Sequence, residues 1–129
     1  MKPPFKIAIA GVGVVGSGVL KLLAENGDLV AQRCGRQITV TAASARRRAA
    51  DRGVSLGAAT WFDNPVTMAA EADADAVVEL IGGAHGVARQ VVDAALARGR
   101  HVVTANKALM AMHGAALARA AEGTGAILA

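Results

Sequence analysis

The sequence predicts an α/β fold: a doubly wound parallel sheet, with helices on both faces, in a single domain. Short apolar or β-branched segments alternate with segments of helical periodicity along the chain. The length of 129 residues suits one domain, and 53% hydrophobic residues with only 19% charged ones exclude intrinsic disorder. The 15 glycines fall largely where these segments end, as glycine does at turns.

The elements follow from local pattern. Strands are apolar or β-branched runs, and helices carry apolar residues at intervals of three and four. Gly27 stands where a helix over 14–26 would stop, and Asn64-Pro65 resembles a helix start, with a cap followed by proline. The predicted strands are 6–10, 38–43, 60–62, 76–81 and 101–104, with a further strand beginning at 127–128. The predicted helices are 14–26, 45–52 (closed by Gly53), 65–72, 86–98 and 108–122.

The strongest local motif is a glycine-rich turn between the first strand and the first helix. It comprises Gly11, Val12, Gly13, Val14, Val15 and Gly16. In a Rossmann-type sheet the first glycine permits a tight turn, the second lets backbone approach a pyrophosphate, and the third lets helix and strand pack closely. The helix N-terminus then offers free N–H groups to phosphates. The motif predicts a dinucleotide site; the alternative is a turn that binds nothing.

The end of the second strand bears on which dinucleotide is bound. An NAD site usually carries an acid there, but this chain has Ser44 followed by Arg46 and two further arginines. Asp28 comes too early and is expected in the helix–strand connection. Because guanidinium binds phosphate as a fork, Ser44 and Arg46 are predicted contacts of the 2′-phosphate of NADP, with NAD still possible. The alternative is that the arginines form a solvated helix face.

Two further turns are expected at the same edge of the sheet. Gly82 and Gly83 end the fourth strand, where missing side chains would let a nicotinamide ribose lie close; a simple turn is the alternative. Glu79 lies inside that apolar strand and needs a partner, either as a structural anchor or toward the ligand.

The fifth predicted strand, 101–104, leads into a polar segment. Thr104, Ala105, Asn106 and Lys107 place a hydroxyl, an amide and an ammonium at the edge. Lys107 could donate a hydrogen bond to a substrate oxygen or take part in proton transfer, or it could merely bind solvent. A cation beside a helix start is mildly unfavourable, which favours a functional role.

Several function classes are disfavoured. The single cysteine, Cys34, excludes an internal disulfide framework, and the three histidines show no metal-ligand spacing, so no metal site is predicted. Few aromatic residues and scattered basic ones argue against nucleic-acid binding. Glycines interrupt the apolar N-terminal run, and 18 consecutive apolar residues occur nowhere, so neither export nor a membrane span is expected and the expected location is the cytoplasm.

Three segments together resemble one known family. GVGVVGSGV (11–19), VELIGG (78–83) and VVTANKALMAMHG (102–114) are similar, in this order, to the N-terminal half of homoserine dehydrogenase. The resemblance implies NAD(P)-dependent interconversion of L-aspartate 4-semialdehyde and L-homoserine, in threonine and methionine biosynthesis. It implies that residues 11–16 hold the phosphates, that Gly82, Gly83 and 104–106 lie near the nicotinamide, and that Lys107 is one of two lysines near the substrate.

The same resemblance sets the expected domain organisation. In the family the second lysine, an aspartate, a glutamate and much of the dimer contact lie in a later domain. Residues 1–129 are therefore expected to be a cofactor-binding fragment, cut inside the fold and unable by itself to oxidise homoserine. Two alternatives remain: the cofactor domain of another reductase, such as aspartate dehydrogenase or a dihydrodipicolinate reductase relative, or a dinucleotide-sensing regulatory domain that is no enzyme.

Overall fold

A computed structural model describes residues 2–45, 59–83 and 86–129. Most of the predicted helix over 45–52, including Arg46, lies outside the described residues, as does His85. The strands are β1 (Phe5–Ala10), β2 (Ile38–Ser44), β3 (Thr60–Trp61), β4 (Ala76–Glu79) and β5 (His101–Thr104). The helices are α1 (Val14–Cys34), α2 (Pro65–Glu71), α3 (Val87–Ala97) and α4 (Lys107–Thr124).

The strands form a parallel sheet in the order β3-β2-β1-β4-β5. The order reverses beside β1, which is the position where ligands bind in sheets of this type. Four strands end in register: Ala10 pairs with Ser44 on one side and with Glu79 on the other, and Glu79 pairs with Thr104. The predicted alternation of strand and helix in a Rossmann-type α/β fold is confirmed.

Apolar side chains cover both faces of the sheet. On one face, buried residues of α2, α3 and α4, such as Met68, Leu96 and Leu117, pack on Val77 and Val102. On the other face, Leu20 of α1 packs with Ile7 and Ile9. Helices on both faces are the doubly wound arrangement that the sequence predicted.

The first helix is longer than predicted. It continues through Gly27 to Cys34, with one non-helical residue, Asn26 (φ −121°, ψ 18°), marking a kink. The helix ends at Gly35, which has φ 78° and donates its N–H to the Ala31 carbonyl. A glycine stops a helix where the chain takes a positive φ, and Gly35 does so whereas Gly27 does not. Asp28 consequently lies in α1 and not in the connection.

Smaller differences affect the ends of β4 and α4. Strand β4 ends at Glu79, so Leu80 and Ile81 belong to the turn that follows it. Helix α4 begins at Lys107, one residue earlier than predicted, because the Asn106 side chain caps it. The last residues lie beside β5, where Leu128 forms a parallel bridge with Val102.

Candidate functional site

The candidate site is the edge of the sheet where β1, β2, β4 and β5 end. Their last residues are aligned: Ala10, Glu79 and Thr104 each precede one of the predicted glycine-rich or polar turns, and Ser44 ends β2 beside Ala10. In a parallel sheet the free N–H groups of the following helices face this edge. The topology thus brings three turns that are far apart in sequence to one place.

The first turn can be made only by glycine at its first position. Gly11 has φ 98°, and a Cβ atom there would lie 2.9 Å from the Leu80 carbonyl carbon and 3.0 Å from the Ile81 nitrogen. Its N–H donates a 2.8 Å hydrogen bond to the carbonyl of Ser44. The turn is therefore held against the ends of both neighbouring strands, β2 and β4.

The other two glycines of the motif differ in what surrounds them. A Cβ atom on Gly16 would lie 2.6 Å from the Gly11 carbonyl oxygen, so α1 starts in direct contact with the turn. We expected close packing of Gly16 on the strand; the contact is with the turn that follows it. Gly13 is exposed, with nothing within 4 Å of a Cβ position, and it leaves open space before the first N–H groups of α1. Val12 is buried in the core beneath the turn.

Ser44 lies at this edge, and the surroundings of its hydroxyl group are unusual. It is 1% exposed, and its Oγ has no hydrogen-bond partner among the residues that the structure describes. A buried hydroxyl normally has a partner, so this oxygen could accept or donate to a group that enters the site. Because Arg46 lies outside the described residues, its expected place beside Ser44 stays a prediction.

The second turn contains the glycines predicted near the nicotinamide. Gly82 and Gly83 are exposed, with φ of 90° and 81°, conformations that favour glycine. Glu79 is 0% exposed, and its Oε2 accepts hydrogen bonds from the N–H groups of Ile81 (2.6 Å) and Gly82 (3.1 Å). Of the two interpretations left open for Glu79, the geometry favours a structural anchor for this turn.

The third turn is joined to the second by side chains. The Thr104 hydroxyl donates to Glu79 Oε1 at 2.6 Å and accepts from the Asn106 N–H at 3.0 Å. The Asn106 side chain acts in two directions: Nδ2 donates to the Gly83 carbonyl (2.5 Å), and Oδ1 accepts from the Leu109 N–H (3.0 Å) in the first turn of α4. The sequence placed these residues at one edge, but it did not reveal this chain of bonds.

Lys107 and Ala105 are the exposed members of the third turn. Lys107 is the first residue of α4, directly after its buried cap Asn106, so its ammonium is carried by a fixed backbone position at the edge. A cation at a helix N-terminus opposes the helix dipole, at a cost of a few tenths of a kcal/mol. The arrangement is suited to a lysine that meets a ligand oxygen.

Two surface grooves lie away from this edge. One of about 400 Å³ is at the opposite edge, lined by Phe5, Arg36, Asp75 and Arg100, among others. Another, of about 290 Å³, is beside Gly27 in α1. Across residues 2–45, 59–83 and 86–129, no three His, Cys, Asp or Glu residues are grouped to hold a metal ion. No helix in those ranges combines the length and apolarity needed to cross a membrane.

Comparison with known proteins identifies relatives of this architecture. Residues 11–129 match the family described as homoserine dehydrogenase, NAD binding domain. The chain is 41% identical over 128 residues to homoserine dehydrogenase of Pseudomonas aeruginosa, covering 98% of this chain and 28% of that protein. It therefore spans less than a third of the length of this curated relative.

Solved structures give the same result. The homoserine dehydrogenase of Thiobacillus denitrificans superposes with a TM-score of 0.84 at 37% identity, covering 97% of this chain and 28% of that one. The Staphylococcus aureus homoserine dehydrogenase at pH 7.5 superposes with a TM-score of 0.87 at 28% identity, covering 99% and 32%. Both similarities extend over nearly the whole described fold.

Proposed function

Because this chain belongs to the family of homoserine dehydrogenase NAD-binding domains, we propose that residues 1–129 form the cofactor domain of an enzyme that interconverts L-aspartate 4-semialdehyde and L-homoserine. One observation carries the cofactor assignment: Gly11 and Gly16 leave no room for a Cβ, whereas the adjacent Gly13 is open. A turn this compressed, at the start of a helix whose N-cap residue makes no side-chain hydrogen bond, fits a pyrophosphate.

The other proposed contacts with the cofactor follow from the order of the strands in the sheet. The backbone of Gly11, Val12, Gly13, Val14, Val15 and Gly16 would hold the phosphates. Gly82 and Gly83, together with Thr104, Ala105 and Asn106, would surround the nicotinamide half, because their turns follow β4 and β5 on the far side of β1. The nicotinamide ring supplies or accepts a hydride when bound.

We propose that the side chain of Lys107 contacts the substrate. Its exposed ammonium could donate a hydrogen bond to the semialdehyde carbonyl, or to the homoserine hydroxyl, and so stabilise charge on that oxygen or pass a proton. We expect its companion groups in a later domain, as the resemblance to homoserine dehydrogenase implies. We expect the 129-residue chain to bind dinucleotide but not to oxidise homoserine.

We further propose a preference for NADP over NAD. The support is the absence of an acid at the end of β2, the buried unpaired hydroxyl of Ser44 among the described residues, and the arginine at position 46. A guanidinium would pair with the 2′-phosphate, whereas NAD would offer it only a hydroxyl. In the whole protein we propose a cytoplasmic homo-oligomer acting in threonine and methionine biosynthesis.

Calorimetric titration of the chain with NADPH and NADH tests the cofactor assignments. We expect NADPH to bind more tightly, by about ten- to hundredfold, because an Arg–phosphate pair contributes about 1.5–3 kcal/mol. Arg46→Ala should remove most of this difference, whereas Arg119→Ala, which removes an exposed arginine of α4, should leave it unchanged. Equal binding of both cofactors would refute the NADP preference alone; binding of neither would refute the cofactor domain.

A further inference from the structure

We infer that Glu79 is a positioning residue: it holds the Gly82–Gly83 turn and the start of α4 in one fixed relation, so that the nicotinamide half of the cofactor meets a preformed surface. The inference rests on the proposed function. It concerns a side chain that we expect to touch neither cofactor nor substrate, because Glu79 is 0% exposed.

The hydrogen-bond directions around Glu79 are determined by its partners. The two backbone N–H groups of Ile81 and Gly82 can only donate, and both reach Oε2. The Thr104 hydroxyl already accepts from the Asn106 N–H, so its own proton is free to point to Oε1. Every bond therefore requires Glu79 to accept, which a carboxylate does with both oxygens.

A glutamine at position 79 would not reproduce this pattern. Its amide has one accepting oxygen and an NH₂ group that can only donate. Whichever way the amide is turned, its NH₂ faces either the two N–H groups of the turn or the Thr104 hydroxyl. In the first orientation the two N–H groups of the turn lose their acceptor. In the second the Thr104 hydroxyl accepts from both the amide and the Asn106 N–H, and its own proton loses the acceptor that Glu79 Oε1 supplied.

The contacts also extend from Glu79 to both ends of the proposed site. Ile81, whose N–H Glu79 holds, forms part of the backbone against which Gly11 packs. Asn106, linked to Glu79 through Thr104, bonds the Gly83 carbonyl and caps the helix that begins with Lys107. One buried carboxylate thus bonds the nicotinamide turn directly and the start of α4 through Thr104, whereas the phosphate turn only packs against the backbone of Leu80 and Ile81.

The test compares the binding of the whole cofactor with the binding of its adenosine half alone. NADPH should contact all three turns, whereas 2′,5′-ADP carries only the adenosine and phosphates held by the first turn and β2. We expect Glu79→Gln to weaken NADPH binding by about tenfold or more, since bonds to a charged acceptor are lost, and to change 2′,5′-ADP binding less than about twofold. Glu71→Gln, an exposed change at the end of α2, should alter neither.

A second pair of variants keeps the test decisive if Glu79→Gln does not fold. Thr104→Val removes the hydroxyl, and Thr104→Ser restores it without the methyl group. We expect Thr104→Val to weaken NADPH selectively and Thr104→Ser to recover most of the wild-type affinity. Equal weakening of both ligands would show a general structural role and overturn the inference, as would unchanged NADPH binding in Glu79→Gln and Thr104→Val. If the wild-type chain binds neither ligand, the proposed function itself fails.

Discussion

The Glu79 carboxylate and the Thr104 hydroxyl meet at 2.6 Å, joining the last residues of β4 and β5. Both side chains lie on the face of the sheet that α3 and α4 cover, two residues beyond the buried Val77 and Val102. The same two residues also pair in the backbone ladder, so the ends of the strands are linked twice. This double link makes the edge a rigid base for the turns above it.

Removing the Thr104 hydroxyl should destabilise the folded chain even without a ligand. Thr104→Val keeps the shape of the side chain but leaves Glu79 Oε1 and the Asn106 N–H without this partner. We expect the free energy of unfolding to fall by about 1–3 kcal/mol, measured by urea titration. A Thr104→Val chain as stable as wild type would show that water or another group replaces the hydroxyl at no cost.

Gly16 and Gly18 lie two residues apart in α1, on roughly opposite sides of the helix, and should respond oppositely to alanine. In Gly16→Ala the new Cβ would meet the Gly11 carbonyl oxygen at 2.6 Å, so helix or turn must shift, at a cost of about 1–3 kcal/mol. The affinity of the Gly16→Ala chain for dinucleotide should fall together with its stability. Gly18 has nothing within 4 Å, so Gly18→Ala should raise stability by about 0.5–1 kcal/mol through helix propensity.

Thermal or urea unfolding of these two variants, with NADPH titration of each, checks the pair. A destabilised Gly18→Ala would contradict the open space described at that position. An unaffected Gly16→Ala would contradict the close contact between the start of α1 and the turn.

Two substitutions separate the two hydrogen bonds of the Asn106 side chain, one to the Gly83 carbonyl and one from the Leu109 N–H. Asn106→Asp keeps an oxygen for the Leu109 N–H but has no donor for the Gly83 carbonyl, whereas Asn106→Ala loses both. Hydrogen exchange at the Leu109 amide should therefore stay slow in Asn106→Asp and become faster in Asn106→Ala. NADPH binding should weaken in both variants, because both lose the bond that holds the Gly83 carbonyl.

Asn64 supplies a matched control for Asn106. It caps α2 by accepting from the N–H groups of Val66 (2.8 Å) and Thr67 (3.3 Å), after the edge strand β3. Asn64→Ala should lower stability by about 0.5–2 kcal/mol while leaving NADPH affinity unchanged. If NADPH affinity drops equally in Asn64→Ala, loss of a cap anywhere would account for the result at Asn106.

Ser44→Ala should have opposite effects on stability and on binding. The Ser44 hydroxyl is buried without a partner among the described residues, so its removal relieves a desolvation cost. We expect the cofactor-free chain to be equally stable or more stable, by up to about 1 kcal/mol, and NADPH to bind more weakly. Paired urea and calorimetric titrations give both values. A loss of stability in the free chain would mean that a residue outside the described ranges bonds this hydroxyl.

Much of the fold was predictable because its signals are local. The strand–turn–helix context of the first glycine motif, the apolar run ending at Gly82-Gly83 and the Asn64-Pro65 helix start each depend on neighbours within a few residues. The end of α1 was predicted wrongly because Gly27 and Gly35 look alike in sequence. Only the conformation of the folded chain shows that Gly35, and not Gly27, takes the positive φ that ends a helix.

The sequence by itself determined which residues reach the carboxyl edge, because the alternation of strands and helices sends every strand the same way through the sheet. The tertiary structure alone decided how they act together there. Glu79 and Thr104 are 25 residues apart, and the bond between them exists because β4 and β5 pair in register. Pairing between distant segments depends on the packing of the whole chain, which no short window of sequence contains.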